Sequence, residues 1–88
     1  MSDTYLELSV WRRMDGFAIR YRCLQCLDTQ KYGVQSSDYY YARDKGAQTW
    51  ASDAQFVELF LDTSPAERCT WFVSLSEAIE AHDATFDR

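Results

Sequence analysis

Asp15-Gly16 lies between two segments in which apolar and polar residues alternate, and this feature constrains the fold more than any other. Asp-Gly in that setting is the strongest short-range signal for a β-hairpin, because a two-residue type I′ turn needs positive φ at both positions. Such a turn would pair Val10 with Tyr21 and Trp11 with Arg20. The sequence therefore predicts an antiparallel hairpin with this register.

A third strand is expected to follow the hairpin. Residues 28–31 offer a second turn, and a symmetric turn there would place Leu27 opposite Tyr32. Residues 37–51 are expected to be mostly irregular, because three consecutive tyrosines precede a polar, turn-like stretch.

Two later segments carry helix signals. Ser52 and Gln55 have the spacing of a capping box, and apolar residues then recur at helical intervals over residues 52–62. Ser74 and Glu77 repeat this spacing before a second amphipathic stretch. Between these helices, residues 69–73 alternate and are predicted to form a short fourth strand.

These elements predict one α+β domain that spans residues 1–88. We expect a small antiparallel sheet, a three-stranded meander plus the fourth strand, with two helices on one face in the order β-β-β-α-β-α. A chain of 88 residues has room for one core, and a hydrophobic content of 47% is too high for a disordered chain.

The composition predicts a cytoplasmic protein. The sequence has no apolar stretch near the roughly 20 residues that span a bilayer, and its first residues lack a signal-peptide pattern. Three cysteines are an odd number and too few for a disulfide scaffold. Two Lys against seven Arg are typical of a GC-rich bacterial or phage genome.

The net charge of −5 is unevenly distributed along the chain. Residues 1–45 hold seven Lys or Arg against six Asp or Glu, and residues 46–88 hold two against eight, giving +1 and −6. Nucleic-acid binding needs a positive surface, so this balance disfavours it. It favours another protein with a basic surface as the partner, and it gives no reason to expect membrane binding.

The cysteines and the histidine do not form a recognisable catalytic or metal site. Cys23 and Cys26 have CxxC spacing but lie within a predicted strand, where residues three apart face opposite sides. A zinc site with Cys69 and His82 is a weaker interpretation than two structural cysteines, because a second short ligand pair is missing. His82 is expected to have a structural or capping role. We therefore predict no catalytic residue, no metal and no cofactor.

Two groups of aromatic and arginine side chains are candidate binding residues. Trp11, Arg20 and Arg22 share the second face of the meander, where they form either a binding patch or a solvated face with Arg20 stacked on Trp11. The second group joins residue types that are common at interface hot spots. It consists of Tyr39, Tyr40, Tyr41, Arg43 and Trp50.

The sequence thus favours a non-enzymatic protein-binding domain, such as a small acidic inhibitor, immunity or adaptor protein that masks a partner surface. One alternative is a protein that binds or mimics nucleic acid, with Arg13, Arg20 and Arg22 touching phosphate. A second alternative is a thiol or zinc protein that uses Cys23 and Cys26.

Overall fold

The structure, a computed structural model, describes residues 3–41 and 45–86, and the side chains of residues 45–50, 52 and 86 lie outside that description. It is a small α+β fold with three antiparallel strands in an open sheet and three helices. The elements are β1 (Tyr5–Arg13), β2 (Phe17–Cys26), β3 (Tyr32–Tyr41), α1 (Lys45–Asp62), α2 (Pro65–Arg68) and α3 (Leu75–Phe86). No helix in the described part of the chain is long and apolar enough to cross a membrane.

The predicted register of the β1-β2 hairpin is confirmed, but the predicted turn type is wrong. Val10 pairs with Tyr21, and Trp11 pairs with Arg20. Gly16 has a φ of 88°, whereas Asp15 is not among the residues with positive φ. The turn therefore uses one left-handed position where type I′ needs two, and glycine supplies that position without a steric cost.

The register between β2 and β3 differs by two residues from the predicted one. Tyr32 pairs with Gln25, whereas a symmetric turn would have paired it with Leu27. Gln30 takes a left-handed φ of 61°, and its amide donates to the Cys26 carbonyl at 2.7 Å. A shift of two residues keeps Tyr32 and Val34 on their predicted face, because the side-chain period of a strand is two.

A β-bulge interrupts the pairing of β2 with β3. Arg22 pairs with Ser36 and Cys23 pairs with Val34, so Gln35 is an extra residue without a partner in β2. A bulge of this kind shifts the alternation of the strand that contains it. It places the residues of β3 after Gln35 on the opposite face from the one an uninterrupted strand would give them.

The prediction that residues 37–51 are mostly irregular is wrong. Strand β3 continues to Tyr41, and α1 begins at Lys45, seven residues before the predicted cap at Ser52. A helix boundary read from capping residues alone therefore missed the first part of α1.

The predicted fourth strand and the predicted element order are not confirmed. In the segment predicted to form that strand, Phe72 makes a single β-bridge to Tyr32, with backbone bonds of 2.8 Å in both directions. Ser64-Pro65 instead opens the short helix α2, where the Ser64 hydroxyl accepts from the Ala66 amide at 3.2 Å. The described elements follow the order β-β-β-α-α-α.

The prediction that both helices pack on one face of the sheet is also wrong. Ile79 of α3 joins the core cluster with Ile19 and Tyr21 on one face, which we call the α3 face. Asp53 of α1 contacts Arg20 and Arg22, which point the other way along β2 and define the α1 face. An arginine that is buried needs a carboxylate partner, and Asp53 of α1 supplies one to Arg20 and Arg22.

Helix α3 begins as predicted and is tied to the hairpin by one carboxylate. The Glu77 amide donates to the Ser74 hydroxyl at 3.1 Å, which is the predicted cap. Asp83 accepts from the Tyr21 hydroxyl at 2.8 Å and from Arg12 at 2.8 Å. Burial, reinforced by the bond to Asp83, raises the pKa of Tyr21 to about 12, so its hydroxyl keeps the proton it donates.

Gly33 allows the segment after α2 to approach β3 closely. A Cβ atom at this position would lie 3.0 Å from the Cys69 Cβ, 3.2 Å from the Thr70 carbonyl oxygen and 3.3 Å from the Trp71 ring. These distances leave no room for a methyl group unless a neighbour moves. The close approach brings Phe72 into position for its bridge to β3.

We expect Gly33→Ala to lower the free energy of unfolding by about 1–3 kcal/mol, the usual cost of overpacking. Urea unfolding followed by tryptophan fluorescence measures this change. An unchanged midpoint would contradict the packing of Cys69 and Trp71 on Gly33.

Candidate functional site

Aromatic side chains gather at the hairpin end of the sheet, beginning with a cluster on the α3 face. The bulge places Tyr39 and Tyr41 on this face, where each contacts Phe17 of β2. The Tyr39 and Phe17 rings are stacked with centroids 5.7 Å apart, and the Tyr41 ring lies 5.5 Å from Phe17. Tyr41 nevertheless remains 51% exposed.

A second aromatic cluster occupies the α1 face at the same end. The Trp11 and Tyr40 rings lie 5.3 Å apart, and the Arg20 guanidinium lies 5.5 Å from the Trp11 centroid and 5.8 Å from that of Tyr40. The contact of Arg20 with Trp11, which belonged to one of the two alternatives for this face, is present. Tyr40 is buried, and its hydroxyl has no hydrogen-bond partner within the described residues, whereas Trp11 is 52% exposed.

Arg20 and Arg22 do not form the open basic patch considered from sequence. Arg20 bonds to Asp53 at 3.0 Å, and Arg22 contacts both Asp53 and Glu7, the latter at 3.1 Å. Arg22 also lies over the Phe56 ring at 5.1 Å and is only 4% exposed. Both arginines are thus covered by α1 and neutralised by carboxylates.

The remaining predicted binding residues can be placed only in part. Arg43 lies outside the described residues, and Trp50 lies in α1 with its side chain outside them. Three large, exposed hydrophobic side chains lie at the hairpin end of the sheet, with Trp11 on the α1 face, Tyr41 on the α3 face and Met14 beside the turn. We call this set the hairpin-end surface.

A second candidate site is a cleft of about 720 Å³ beside β3, which we call the β3 cleft. Helices α1 and α3 line it from opposite sides, β3 forms its floor, and the segment after α2 lines one end. The lining residues are Val34, Gln35, Ser36, Ser37, Gln55, Leu59, Arg68, Cys69, Thr70, Phe72, Ala78, Ala81, His82 and Thr85. No local pattern in the sequence marks this site, because its walls come from four separate parts of the chain.

His82 contributes a polar contact to the β3 cleft. Its Nε2 lies 2.9 Å from the Ser37 hydroxyl, and its ring packs edge-on against Tyr21 at 6.0 Å. Desolvation lowers the pKa of His82, and the smaller effect of Asp83 opposes this. A neutral imidazole accepts a hydrogen bond from Ser37 at neutral pH when its proton is on Nδ1. The structure thus brings together a histidine and a serine that sequence spacing did not connect.

The cysteines occupy different environments. Cys23 is buried in the core, and burial raises its pKa to about 12, while burial also raises the pKa of Cys69. Cys26 is partly exposed at the end of β2, where hydrogen bonds from Thr29 lower its pKa. Within the described residues, no three His, Cys, Asp or Glu side chains are grouped so that they could hold a metal ion.

No family model, curated protein or solved structure matches this chain.

We expect Asp53→Ala to lower the free energy of unfolding on the order of 1–3 kcal/mol, because it leaves a covered arginine short of one partner. Glu58→Ala is the matched control, since Glu58 is an exposed acid on the same helix. Chemical denaturation of both variants measures the difference. Equal effects would contradict a structural role for the Asp53 ion pairs.

Acidification should destabilise the protein through His82. Because folding lowers the pKa of His82 from 6.5, the unfolded chain binds the proton more tightly, and the stabilisation present above pH 6.5 declines as the pH falls. Urea midpoints between pH 7.5 and 5.5 should therefore fall in the wild type and change less in His82→Gln. Parallel pH profiles for the two proteins would contradict the burial of a neutral imidazole.

Proposed function

We propose that this chain is a non-enzymatic protein-binding domain that masks a partner surface with its hairpin-end surface. One observation carries the proposal: Trp11 and Tyr41 are half exposed, yet buried or half-buried neighbours hold both rings in place. Trp and Tyr are enriched among the residues that dominate binding energy. A functional role accounts for their exposure at one end of a small domain.

The two exposed rings are preorganised for binding. Trp11 packs against Tyr40 and Arg20, which also contact each other, and Tyr41 rests against Phe17, which is itself stacked on Tyr39. A ring already held in one orientation loses little conformational freedom on binding, so more of its contact energy appears as affinity. The strands beneath these rings are paired along their full length at this end.

Charge favours a partner with a basic surface. The −6 charge of residues 46–88 includes Glu77 and Glu80, which are exposed on α3. Complementary charge of this kind speeds association and disfavours acidic partners. A small acidic inhibitor, immunity or adaptor protein in the cytoplasm fits this combination of an aromatic anchor and an acidic side.

The alternatives have less support. Phosphate binding by the sheet needs accessible arginines, but Arg20 and Arg22 are covered and paired with carboxylates. A thiol or zinc function would need converging sulfurs, but Cys23 lies in the core whereas Cys26 lies at the end of β2. Mimicry of nucleic acid by the acidic half is compatible with the same charge. Binding by such a mimic would not depend on Trp11, whereas binding in our proposal does.

The test is the dissociation constant for a partner captured from the source cell with the wild-type protein and then purified. We expect Trp11→Ala and Tyr41→Ala each to weaken binding about thirtyfold, the equivalent of about 2 kcal/mol. Leu61→Ala is the matched control, because Leu61 is an exposed apolar residue on α1, away from the hairpin end. Unchanged affinity in both aromatic variants, with folding intact, would contradict the proposal.

A further inference from the structure

We propose that the β3 cleft binds the C-terminal end of a peptide chain, which adds as a strand along the outer edge of β3 and places its carboxylate at Arg68. This inference goes beyond the proposed function, because the cleft and the hairpin-end surface are different parts of the molecule. Four observations carry it: an open strand edge, an unpartnered buried acceptor, a blocked end with a cation, and a lining without acids.

The outer edge of β3 is available for strand addition. The sheet order is β1-β2-β3, so β3 is an edge strand, and Phe72 is the only residue in the described chain that pairs with its outer side. Residues 34–37 of this edge line the cleft between α1 and α3. An edge strand presents unpaired backbone groups, and an extended peptide that joins it gains a row of main-chain hydrogen bonds.

Gln35 supplies an acceptor that points to a ligand. Its side chain is 6% exposed, and its Nε2 donates to the Phe56 carbonyl at 3.2 Å, which fixes the orientation of the amide. Its Oε1 has no partner among the residues that the structure describes. A buried acceptor without a donor is costly, so it calls for a partner. An N–H group of a bound peptide would supply that donor.

The bulge accounts for the position of Gln35. Because this residue is extra relative to β2, its side chain leaves the regular alternation of β3 and reaches α1 beside the cleft. Bulges occur preferentially at sheet edges and next to functional sites, where they re-aim a side chain. The irregularity and the unpartnered acceptor thus coincide in one residue of the cleft.

One end of the strand edge is blocked, and a cation lies beside the block. The bridge between Tyr32 and Phe72 occupies the start of β3, so a peptide added along residues 34–37 has to stop there. Arg68 ends α2 immediately before the segment that makes this bridge, and it lines the cleft. A chain that terminates at this point would present its free carboxylate to a guanidinium, which binds carboxylates well.

The charges of the lining match this occupant. Among the described residues that line the cleft, none is Asp or Glu, and Arg68 is the only Lys or Arg. This contrasts with a chain whose net charge is −5. Desolvation lowers the pKa of His82, so this wall adds a polar but mostly uncharged side chain at neutral pH. The cleft is therefore suited to a single negative group.

The size and composition of the cleft suit a short extended segment. Its volume of about 720 Å³ falls in the range of roughly 300–1,000 Å³ that is usual for ligand sites. Val34, Leu59 and Ala78 offer apolar contacts for side chains that alternate along an added strand. Ser37 and Thr85 provide hydroxyl groups between them.

The test begins with selection of peptides on the full chain from a phage library of random segments displayed with free C-termini. The best peptide is then synthesised twice, with a C-terminal carboxylate and with a C-terminal amide, and binding is measured by fluorescence anisotropy. We expect selection to enrich peptides over a mock selection, and amidation to weaken binding at least tenfold.

Matched variants locate the binding site. We expect Arg68→Gln to weaken the carboxylate peptide at least tenfold and Arg68→Lys to retain most of the affinity, because lysine keeps the charge. Gln35→Met should also weaken binding, and its thermal midpoint verifies folding. If that variant is unfolded, the pair of Arg68 variants decides alone, since Arg68 is exposed.

Several outcomes would overturn this inference: no enrichment, equal binding of the two peptide forms, or equal binding to wild type and Arg68→Gln. Trp11→Ala should bind the selected peptide normally. Loss of binding in Trp11→Ala with normal binding in Arg68→Gln would place the peptide on the hairpin-end surface instead. That result would overturn this inference while supporting the proposed function.

Discussion

The covered ion pair between Arg22 and Asp53 is the contact on which the arrangement of the helices depends. A guanidinium that is only 4% exposed is costly without a carboxylate, so α1 has to lie where Asp53 reaches it. This position covers the α1 face and leaves the apolar α3 face for Ile79 and its helix. The two helices consequently flank the sheet, and the edge of β3 lies between them as the floor of a cleft.

The bulge at Gln35 is the second constraint, and it divides β3 into two parts with different roles. Before it, Val34 packs against the core from the face that the hairpin pattern predicts. After it, the alternation is shifted, so Tyr40 turns towards Arg20 while its two neighbours turn towards Phe17. One inserted residue thus determines that Tyr40 is buried beside the arginine and that Tyr41 is exposed on the other face.

The parts of the fold that sequence could predict are those that local chemistry determines. The register of the first hairpin follows from Asp15-Gly16 and alternation, and the start of α3 follows from Ser74. The second turn could be predicted but its register could not, because its left-handed residue is Gln30 and not a glycine. The face of the sheet on which each helix packs could not be predicted either, because buried arginines and solvent-exposed arginines give the same alternating sequence pattern.

The two candidate sites differ in the same way, since local sequence predicts one of them and only the tertiary structure reveals the other. Trp11 could be identified as a candidate because a large aromatic on a predicted outer face exceeds what solvation requires, and Tyr41 because three consecutive tyrosines cannot all face one core. The β3 cleft could not, because Gln35, Arg68 and His82 come together only after the helices have taken opposite faces. Yet both sites depend on β3, because the bulge lies within the cleft and also sets the faces of the tyrosines that follow it. Deleting Gln35 would restore regular alternation with Ser36 still opposite Arg22, so it would remove the acceptor from the cleft and leave the tyrosines at the hairpin end on their present faces.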